Sequence, residues 1–350
     1  MAMLADQVDL VIGVDTHKHT HTAAVVAAAS GGVLAQQTVP ADSAGYQALI
    51  SLAQQHPGRR VWALEGSGAY GVGLARRLAQ QEEWVVEVDC PKRPARRHGA
   101  KSDVLDAARA AREALARPRL AQPRASGSRA ALAALLPARR SAVQAAGDAQ
   151  RQLHALLTTA PELLRTRFRG RSSSQMVAGC AALRLRVAWG VETCTVAVTA
   201  RTLARRIRAL EREAAEHQQA ITRVVTAWRP DLLEQPGVGP IVAATVLCVW
   251  SHPGRVHSEA AFAMLAGTAP IPASSGQTVR YRLNRSGDRQ LNRALHTVAL
   301  VRLHYDPATH AYAARRRAEG KTSQEIRRCL KRYIARQLYH LLETPPLDTR

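Results

Sequence analysis

Short apolar segments that predict β-strands alternate with amphipathic segments that predict helices in the N-terminal part of the chain. The first strand segment reads DLVIGV, and Gly31-Gly32 forms a turn between the second and third. The order β-β-β-α-β-α-β, followed by another helix, predicts an α/β fold. The predicted strands are 9–14, 21–27, 32–39, 61–64 and 84–88, and the predicted helices are 46–55, 72–81 and 103–116.

Four acidic residues follow these elements in a pattern typical of a metal site. Asp15 ends the first strand, Glu65 ends the fourth, and Asp103 and Asp106 share one face of a helix. Carboxylates brought close together either raise one another's pKa or bind cations. Oxygen ligands suit Mg²⁺, and two such ions can activate a nucleophile and stabilise the leaving oxygen in phosphodiester cleavage. The set therefore predicts two Mg²⁺ ions, although each acid alone is also explained as a turn residue or a helix cap.

Three histidines follow the first acid. His17, His19 and His21 alternate, so on a strand they would share one face. Three imidazoles on one face can bind zinc. The interpretation that we favour is that they line the approach to the acidic site or face solvent.

The charge balance indicates a polyanionic partner. The 350 residues include 49 Lys plus Arg against 27 Asp plus Glu, a formal net charge of +22. Such a charge repels itself unless an anion binds, and nucleic acid is the commonest such partner. No apolar run approaches the roughly 20 residues that span a bilayer, and the N-terminus does not resemble a signal peptide. We expect a nucleic-acid-binding protein of the cytoplasm with no membrane partner.

Composition divides the chain into three regions, 1–125, 126–230 and 231–350. Residues 117–141 are rich in Arg, Ala, Pro and Ser and predict a linker. Two long helices are predicted at 142–168 and 198–228. Apolar residues at helical spacing amid charges favour a coiled coil in the second of them, which often mediates oligomerisation. A long helix packed on its own domain is the alternative. The third region is mostly helical, with an irregular segment at 267–287.

Two motifs in the third region are candidates for DNA contacts. The segment LLEQPGVGPIVAATVL predicts a helix-hairpin-helix, in which Gly237 and Gly239 allow a tight turn and the next helix offers free N–H groups to a phosphate. An ordinary Gly/Pro connection between helices is the alternative. Farther along, Ser274 and Ser275 precede a glycine on an irregular stretch beside four basic residues. Guanidiniums stabilise the charge of a phosphate under attack by a hydroxyl, but the residues alone do not name the nucleophile. The four basic residues are Arg280, Arg282, Arg285 and Arg289.

These motifs, in this order and spacing, resemble the insertion-sequence 110 group of transposases, the DEDD type with a RuvC-like N-terminal domain. The resemblance covers almost the whole chain. Its first half rests on GVDTHK, ALEGSGAYG and VDCPKRPARRHGAKSDVLDAARAA, and its second half on QPGVGPIVAATVL, LAGTAPIPASSG and RSGDRQLNRAL.

The resemblance implies an RNase H-like N-terminal domain and a metal-binding tetrad. Asp15, Glu65, Asp103 and Asp106 would be the metal ligands. It also implies that Ser275, which stands immediately before the glycine, is a nucleophile that forms a covalent link to DNA. A noncoding RNA made by the same element would pair with donor and target DNA and guide the reaction. Because recombination exchanges several strands, we expect a homodimer or homotetramer, associated with the bacterial nucleoid.

The sequence departs from the family pattern near the late glycine. Asn284-Arg285 replaces a common Ser-Lys pair, Asp288 replaces the usual Asn, and Asn292 replaces an Arg. Two other functions stay open. One is a RuvC-like nuclease that cuts DNA junctions with metal-activated water and needs no serine. The other is a nucleic-acid-binding protein without catalysis.

Overall fold

The structure is a computed structural model, and it describes residues 3–88, 103–274, 278 and 281–344. The described chain divides into two compact units. The first comprises Met1–Ser126 with Ser251–Val256, and the second comprises Gly127–Trp250 with His257–Arg350. None of the helices among the described residues combines the length and the apolar character that a membrane-spanning segment needs.

The first unit is built on a mixed β-sheet, which confirms the α/β prediction. Its strand order within the described residues is β3-β2-β1-β4-β5. The strands β1, β2 and β3 form an antiparallel meander, and β4 and β5 extend it in parallel with β1. The strands are β1 (Leu10–Thr16), β2 (Thr20–Ala27), β3 (Val33–Pro40), β4 (Arg60–Glu65) and β5 (Val85–Val88), and the helices are α1 (Ser43–Gln54), α2 (Val72–Gln80) and α3 (Asp103–Leu115).

Helices cover both faces of this sheet. On one face α1 and α2 bury Leu49 and Leu78 against Ile12 and Trp62. On the other face α3 buries a row of alanines, among them Ala107, against a second apolar cluster. Small side chains on α3 allow its backbone to approach the sheet closely. The central strands are therefore buried on both faces, which explains their nearly continuous apolar runs.

The second unit begins with a pair of long helices, α4 (Ser128–Thr158) and α7 (Val191–Trp228), joined through α5 (Glu162–Phe168) and α6 (Ser173–Ala181). The long helices run antiparallel, since α4 residues Arg139 and Gln150 bond α7 residues Gln218 and Glu211 at 2.8 and 3.0 Å.

The predicted linker at 117–141 was wrong for most of its length, because α4 begins at Ser128 and includes Pro137. The Arg and Pro content masked a segment rich in Ala and Leu, which are strong helix formers. Leu132 of this segment is fully buried. Burial along one face therefore outweighs the helix-breaking tendency of the proline.

The remainder of the second unit is mostly helical, as predicted. Arg229 follows α7 and is buried, where it pairs with Asp231 at 2.6 Å and donates to the carbonyls of Leu341 and Leu342. This arginine ties the start of the segment to its end. The elements are α8 (Pro240–Trp250), α9 (Glu259–Leu265), β6 (Ile271–Pro272), β7 (Tyr281–Arg282), α10 (Arg289–Tyr305), α11 (Pro307–Ala318) and α12 (Ser323–Glu343).

Candidate active site

Asp15 and Glu65 lie side by side at the carboxyl ends of adjacent strands. Val14 of β1 is in register with Leu64 of β4, and the two acids are the next residues along these parallel strands. The chain leaves β1 toward β2 on one side and returns to β4 on the other, so the acids stand at the point where the strand order reverses. Open α/β sheets bind their ligands at this position.

Helix α3 carries the other two acids to the same edge. A side chain at Gly13 would collide with the α3 backbone, because its Cβ would lie 2.0 Å from the Ala107 carbonyl oxygen and 2.6 Å from the Ala111 nitrogen. The absence of that side chain lets α3 lie directly on β1. Asp103 and Asp106 open the helix. Their charges act on Asp15 together with that of Glu65.

The electrostatics of Asp15 favour a bound cation. Burial raises the pKa of this carboxyl, and the charges of Glu65, Asp103 and Asp106 raise it further, while His17 opposes them. Only 7% of Asp15 is exposed. A buried carboxyl among like charges is stabilised in its ionised form by a cation. The donor set, mainly carboxylate oxygens, therefore fits a hard divalent ion such as Mg²⁺.

His17 is an additional member of the cluster. Its Nε2 lies 3.2 Å from Asp15 Oδ2 and 3.5 Å from Asp103 Oδ1. These three residues offer ligand atoms within 4.8 Å of one another. The His17 Nε2 is buried and, among the described residues, has no partner with hydrogen-bond geometry. Sequence reasoning placed His17 on the approach to the acids, and the Asp-x-His spacing was the signal for a closer role.

The prediction that the three histidines share one face of a strand was wrong. His17 and His19 lie in the turn between β1 and β2, not on a strand. His21 lies on β2 with no exposed surface, and it stacks on Tyr46 with ring centroids 5.6 Å apart. Burial lowers the pKa of His21. The tight turn after β1 breaks the alternation, so the three imidazoles do not form a zinc site.

Asp106 has a cationic partner of its own. Arg109 Nη1 donates to Asp106 Oδ1 at 2.7 Å, one helical turn along α3. The Asp106 side chain is only 15% exposed. A metal ion bound by Asp106 therefore either displaces Arg109 or binds the second carboxylate oxygen while Arg109 keeps Oδ1.

The predicted hairpin before α8 is a tight turn packed on its own unit. Gly237 has φ +80°, and a Cβ there would lie 3.2 Å from the carbonyl oxygen of Val298 on α10. Gly239 has open space around it among the described residues. A 3-10 turn at Pro230–Leu232 stands where the first short helix of the motif would be. The two glycines thus differ, since Gly237 is required by packing and Gly239 faces open space.

The serine segment is described only in part. Ser275 and Arg280 lie outside the described residues. Ser274 is the second residue after the short hairpin strand β6. Arg282 lies on β7, opposite Ile271 of β6. Arg282, Arg285 and Arg289 are exposed and form no salt bridge with a carboxylate in the described parts of the chain.

The positions that depart from the family pattern hold this segment in place. Asn284 donates to the Met264 carbonyl at 2.9 Å and accepts from the Ser286 hydroxyl at 2.7 Å. Asn292 donates to the Ala266 carbonyl at 2.8 Å and accepts from Lys331 at 2.9 Å. Asp288 caps α10 through the Leu291 nitrogen. These side chains fasten the loop to α9 and α10.

Comparison with known proteins agrees with this architecture. Residues 12–161 match the profile of DEDD transposases of the IS110 type, and residues 230–314 match the profile described as transposase, IS116/IS110/IS902 family. The insertion element IS110 uncharacterized 43.6 kDa protein of Streptomyces coelicolor is 36% identical over 108 residues, which are 30% of this chain and 27% of that protein. The insertion element IS900 uncharacterized 42 kDa protein of Mycobacterium paratuberculosis is 33% identical over 113 residues, which are 32% of this chain and 28% of that protein.

The mixed sheet with acids at its strand ends, together with the profile match, defines the class of the protein as that of the DEDD transposases. The chain belongs to the IS110 family of transposases. The matched segments span just over a quarter of the length of the two curated relatives.

Proposed function

We propose that the protein cuts and rejoins DNA as the transposase of an insertion sequence, with two Mg²⁺ ions bound by Asp15, Glu65, Asp103 and Asp106 and with Ser275 as the nucleophile. The observation that carries the proposal is the convergence of the four charges at the carboxyl ends of β1 and β4. An acidic cluster in a chain with a net charge of +22 has no role in attracting nucleic acid. The mixed sheet also supports an RNase H-like, RuvC-like first domain.

In this mechanism the acids and the serine have different roles. Mg²⁺ held by the four acids would supply Lewis-acid polarisation of the scissile phosphate and charge stabilisation at the leaving oxygen. The Ser275 hydroxyl attacks the phosphorus and loses its proton to solvent, while the P–O bond to one strand end breaks. The serine is then joined to the DNA by a phosphate ester, and the other strand end leaves as a hydroxyl. Arg282, Arg285 and Arg289 neutralise the charge that develops on the phosphate, since they are exposed and unpaired with carboxylates in the described parts of the chain.

The nucleic-acid partners follow from the charge and the family. Donor and target DNA are the substrates, and an element-encoded noncoding RNA pairs with both and directs the cuts. The turn at Gly239 and the first turn of α8 contact the DNA backbone through free N–H groups. A homodimer or homotetramer supplies the several active sites that strand exchange needs. A coiled coil between chains is not among the grounds for it, because α7 packs on α4 and buries Ile207, Ile221 and Val225 within this chain.

A covalent adduct assay tests this function. The full-length chain is incubated with Mg²⁺, the RNA transcribed from the flanking sequence and DNA that carries the element's ends, then denatured and run on a gel. Wild type and Ser274→Ala are expected to form a protein–DNA adduct. Ser275→Ala is expected to bind DNA and RNA yet form no adduct and leave the strand uncut. Ser275→Cys is expected to form a weak adduct, because a thiolate is a good nucleophile with a longer reach.

Other outcomes would replace the proposal. Cleavage without an adduct, unchanged in Ser275→Ala, would identify water as the nucleophile and the protein as a junction nuclease. Binding without cleavage in the wild type would identify a non-catalytic nucleic-acid-binding protein. Loss of the adduct in Ser274→Ala with retention in Ser275→Ala would shift the nucleophile by one residue.

A further inference from the structure

A large basic cavity lies in the second unit, between the segment that precedes the serines and helix α12. Its volume is about 840 Å³, which is the size of a site for a small organic ligand. Its lining includes Thr268 and Pro270, Tyr281 and Leu283, and the α12 residues Arg328 and Lys331. We refer to it as the α12 cavity.

The lining of the α12 cavity is strongly cationic. Seven of its residues are Arg or Lys, and Glu325 is the acid among those that the structure describes. Glu325 is engaged elsewhere, because its carboxylate accepts from the Thr322 nitrogen at 2.8 Å and caps α12. Arg332 and Arg336 both pair with Glu259. Arg316 pairs with Glu319. The other four, Arg285, Lys321, Arg328 and Lys331, form no salt bridge with a carboxylate in the described parts of the chain, although the charges of Lys321 and Arg328 act on Glu325.

Lys331 is the clearest sign that the cavity binds an anion. Its ammonium donates to the neutral Asn292 Oδ1 at 2.9 Å, and it forms no salt bridge with a carboxylate in the described ranges. Burial lowers the pKa of Lys331, and Arg328 lowers it further. Asn292 is itself held by the Ala266 carbonyl. The ammonium is therefore fixed, partly desolvated and without a counter-ion in the described ranges, an arrangement that an anionic ligand would stabilise.

Two aromatic rings give the cavity a second kind of surface. Tyr281 and Tyr333 line it and are 65% and 53% exposed, respectively. Tyrosine rings stack with nucleobases without regard to their sequence. Phosphate-binding cations beside exposed rings are the combination that recognises a nucleotide within a strand.

We propose that the α12 cavity binds one nucleotide of the DNA strand beside the serine segment, with its phosphate at Lys331 and Arg328 and its base against Tyr281 and Tyr333. The inference rests on the proposed function, since DNA is the strand that the serine would attack. Tyr281 lies on β7, the second strand of the β6–β7 hairpin, and Ser274 lies in the segment between these two strands. A base unstacked into this cavity would orient the adjoining phosphodiester for attack.

The test is a binding titration without metal, so that it does not depend on cleavage. Fluorescence anisotropy of a short labelled oligothymidylate is followed with the full chain in EDTA over a range of salt concentrations. Lys331→Gln and Arg328→Gln are each expected to weaken binding about fivefold or more and to lower the slope of log K against log salt by about 0.7. Arg317→Gln, an equal loss of charge at an exposed α11 position outside the cavity, is expected to leave the slope unchanged.

A second arm tests the base. Wild type is expected to prefer oligothymidylate over an abasic strand of equal length, and Tyr281→Leu is expected to remove that preference. Lys331→Arg, which keeps the charge, is expected to bind the oligonucleotide like the wild type. Arg328 is exposed, so the Arg328→Gln variant should fold normally.

The outcomes separate the inference from the proposed function. Equal losses in Arg317→Gln and in the cavity variants would reduce the effect to bulk charge and overturn the inference. Weakening of oligouridylate alone would overturn it in favour of an RNA site. Unchanged binding in both cavity variants would overturn it while the proposed function stands. Failure of the wild type to bind any DNA would contradict the proposed function itself.

Discussion

A Cβ atom on Gly13 would lie 2.0 Å from the carbonyl oxygen of Ala107, so the first strand and helix α3 meet backbone to backbone. This approach places the start of α3, with Asp103 and Asp106, beside Asp15. The geometry of the four acids therefore depends on a residue that carries no functional group.

Replacement of Gly13 by Ala tests this dependence. The new methyl group has no space, because the colliding atoms belong to the helix backbone, so α3 must shift. We expect a loss of about 1–3 kcal/mol in the free energy of unfolding, measured by denaturant titration. The rate of Mg²⁺-dependent cleavage should fall by more than this loss of stability explains, because Asp103 and Asp106 move with α3. Gly190→Ala is the control, since its Cβ has open space among the described residues. Unchanged cleavage in Gly13→Ala would show that the acids do not need this packing.

Much of the first unit could be predicted from the sequence, because each strand there is a short apolar run. The predicted boundaries agree with the five strands to within two residues. The position of Asp15 and Glu65 at strand ends follows from those boundaries alone. The strand order could not be predicted in the same way, because it depends on pairings between strands far apart in the sequence, such as β1 with β4.

Other parts of the site depend on contacts between residues far apart in sequence. The proximity of His17 to Asp103 results from the position of α3. Lys331, 39 residues after Asn292 in the sequence, donates a hydrogen bond to it. No local pattern signals such a pair. The helical segment after Ser128 was missed because Pro137 counts against a helix locally, whereas the tertiary burial of Leu132 supports one.

His17→Gln tests the histidine of the acidic cluster. A nitrogen donor suits Mn²⁺ better than Mg²⁺, so the substitution should weaken Mn²⁺ binding by about tenfold or more and Mg²⁺ binding less. Titration of Mn²⁺ followed by electron paramagnetic resonance, without DNA, measures this directly. His19→Gln, in the same turn but exposed, should bind Mn²⁺ like the wild type. Equal Mn²⁺ affinity in both variants would exclude His17 from the site.

The hairpin glycines should respond differently to substitution. Gly237→Ala should destabilise the second unit, because residue 237 has φ +80° and faces Val298. Gly239→Val should leave the thermal midpoint near that of wild type, yet weaken binding to unrelated DNA duplexes by a similar factor, because the contact is to phosphate. Electrophoretic mobility shifts on several duplexes provide the measurement. A loss confined to one duplex would indicate base recognition instead.

Glu83 should make the stability of the first unit depend on acid pH. Burial opposes ionisation of Glu83, but hydrogen bonds from Arg60 at 3.0 Å and Trp62 at 3.0 Å outweigh it and lower its pKa. A lowered pKa stabilises the fold above the unfolded value of 4.5, and that contribution disappears as the pH falls through the folded pKa.

Glu83→Gln is the corresponding variant. At neutral pH it should cost about 1.5–3 kcal/mol in the free energy of unfolding, because charged hydrogen bonds to a buried tryptophan and an arginine are lost. The difference from wild type should shrink as the pH is lowered below the unfolded pKa. Glu82→Gln, at an exposed neighbouring position, should show neither effect. A pH-independent difference would contradict the assignment of the lowered pKa to Glu83.

The most direct test of the central claim is single-turnover cleavage of element-end DNA in Mg²⁺ by Asp106→Asn, with Asp148→Asn, a paired and exposed α4 acid, as the control. Wild type and Asp148→Asn are expected to cut at equal rates. Asp106→Asn is expected to lose cleavage by a factor on the order of a hundred or more, while it binds DNA and RNA normally. Its metal-free thermal midpoint should stay near that of wild type, because loss of the Arg109 ion pair offsets the relief of repulsion among the acids. Full cleavage by Asp106→Asn would contradict the metal site and the mechanism built on it.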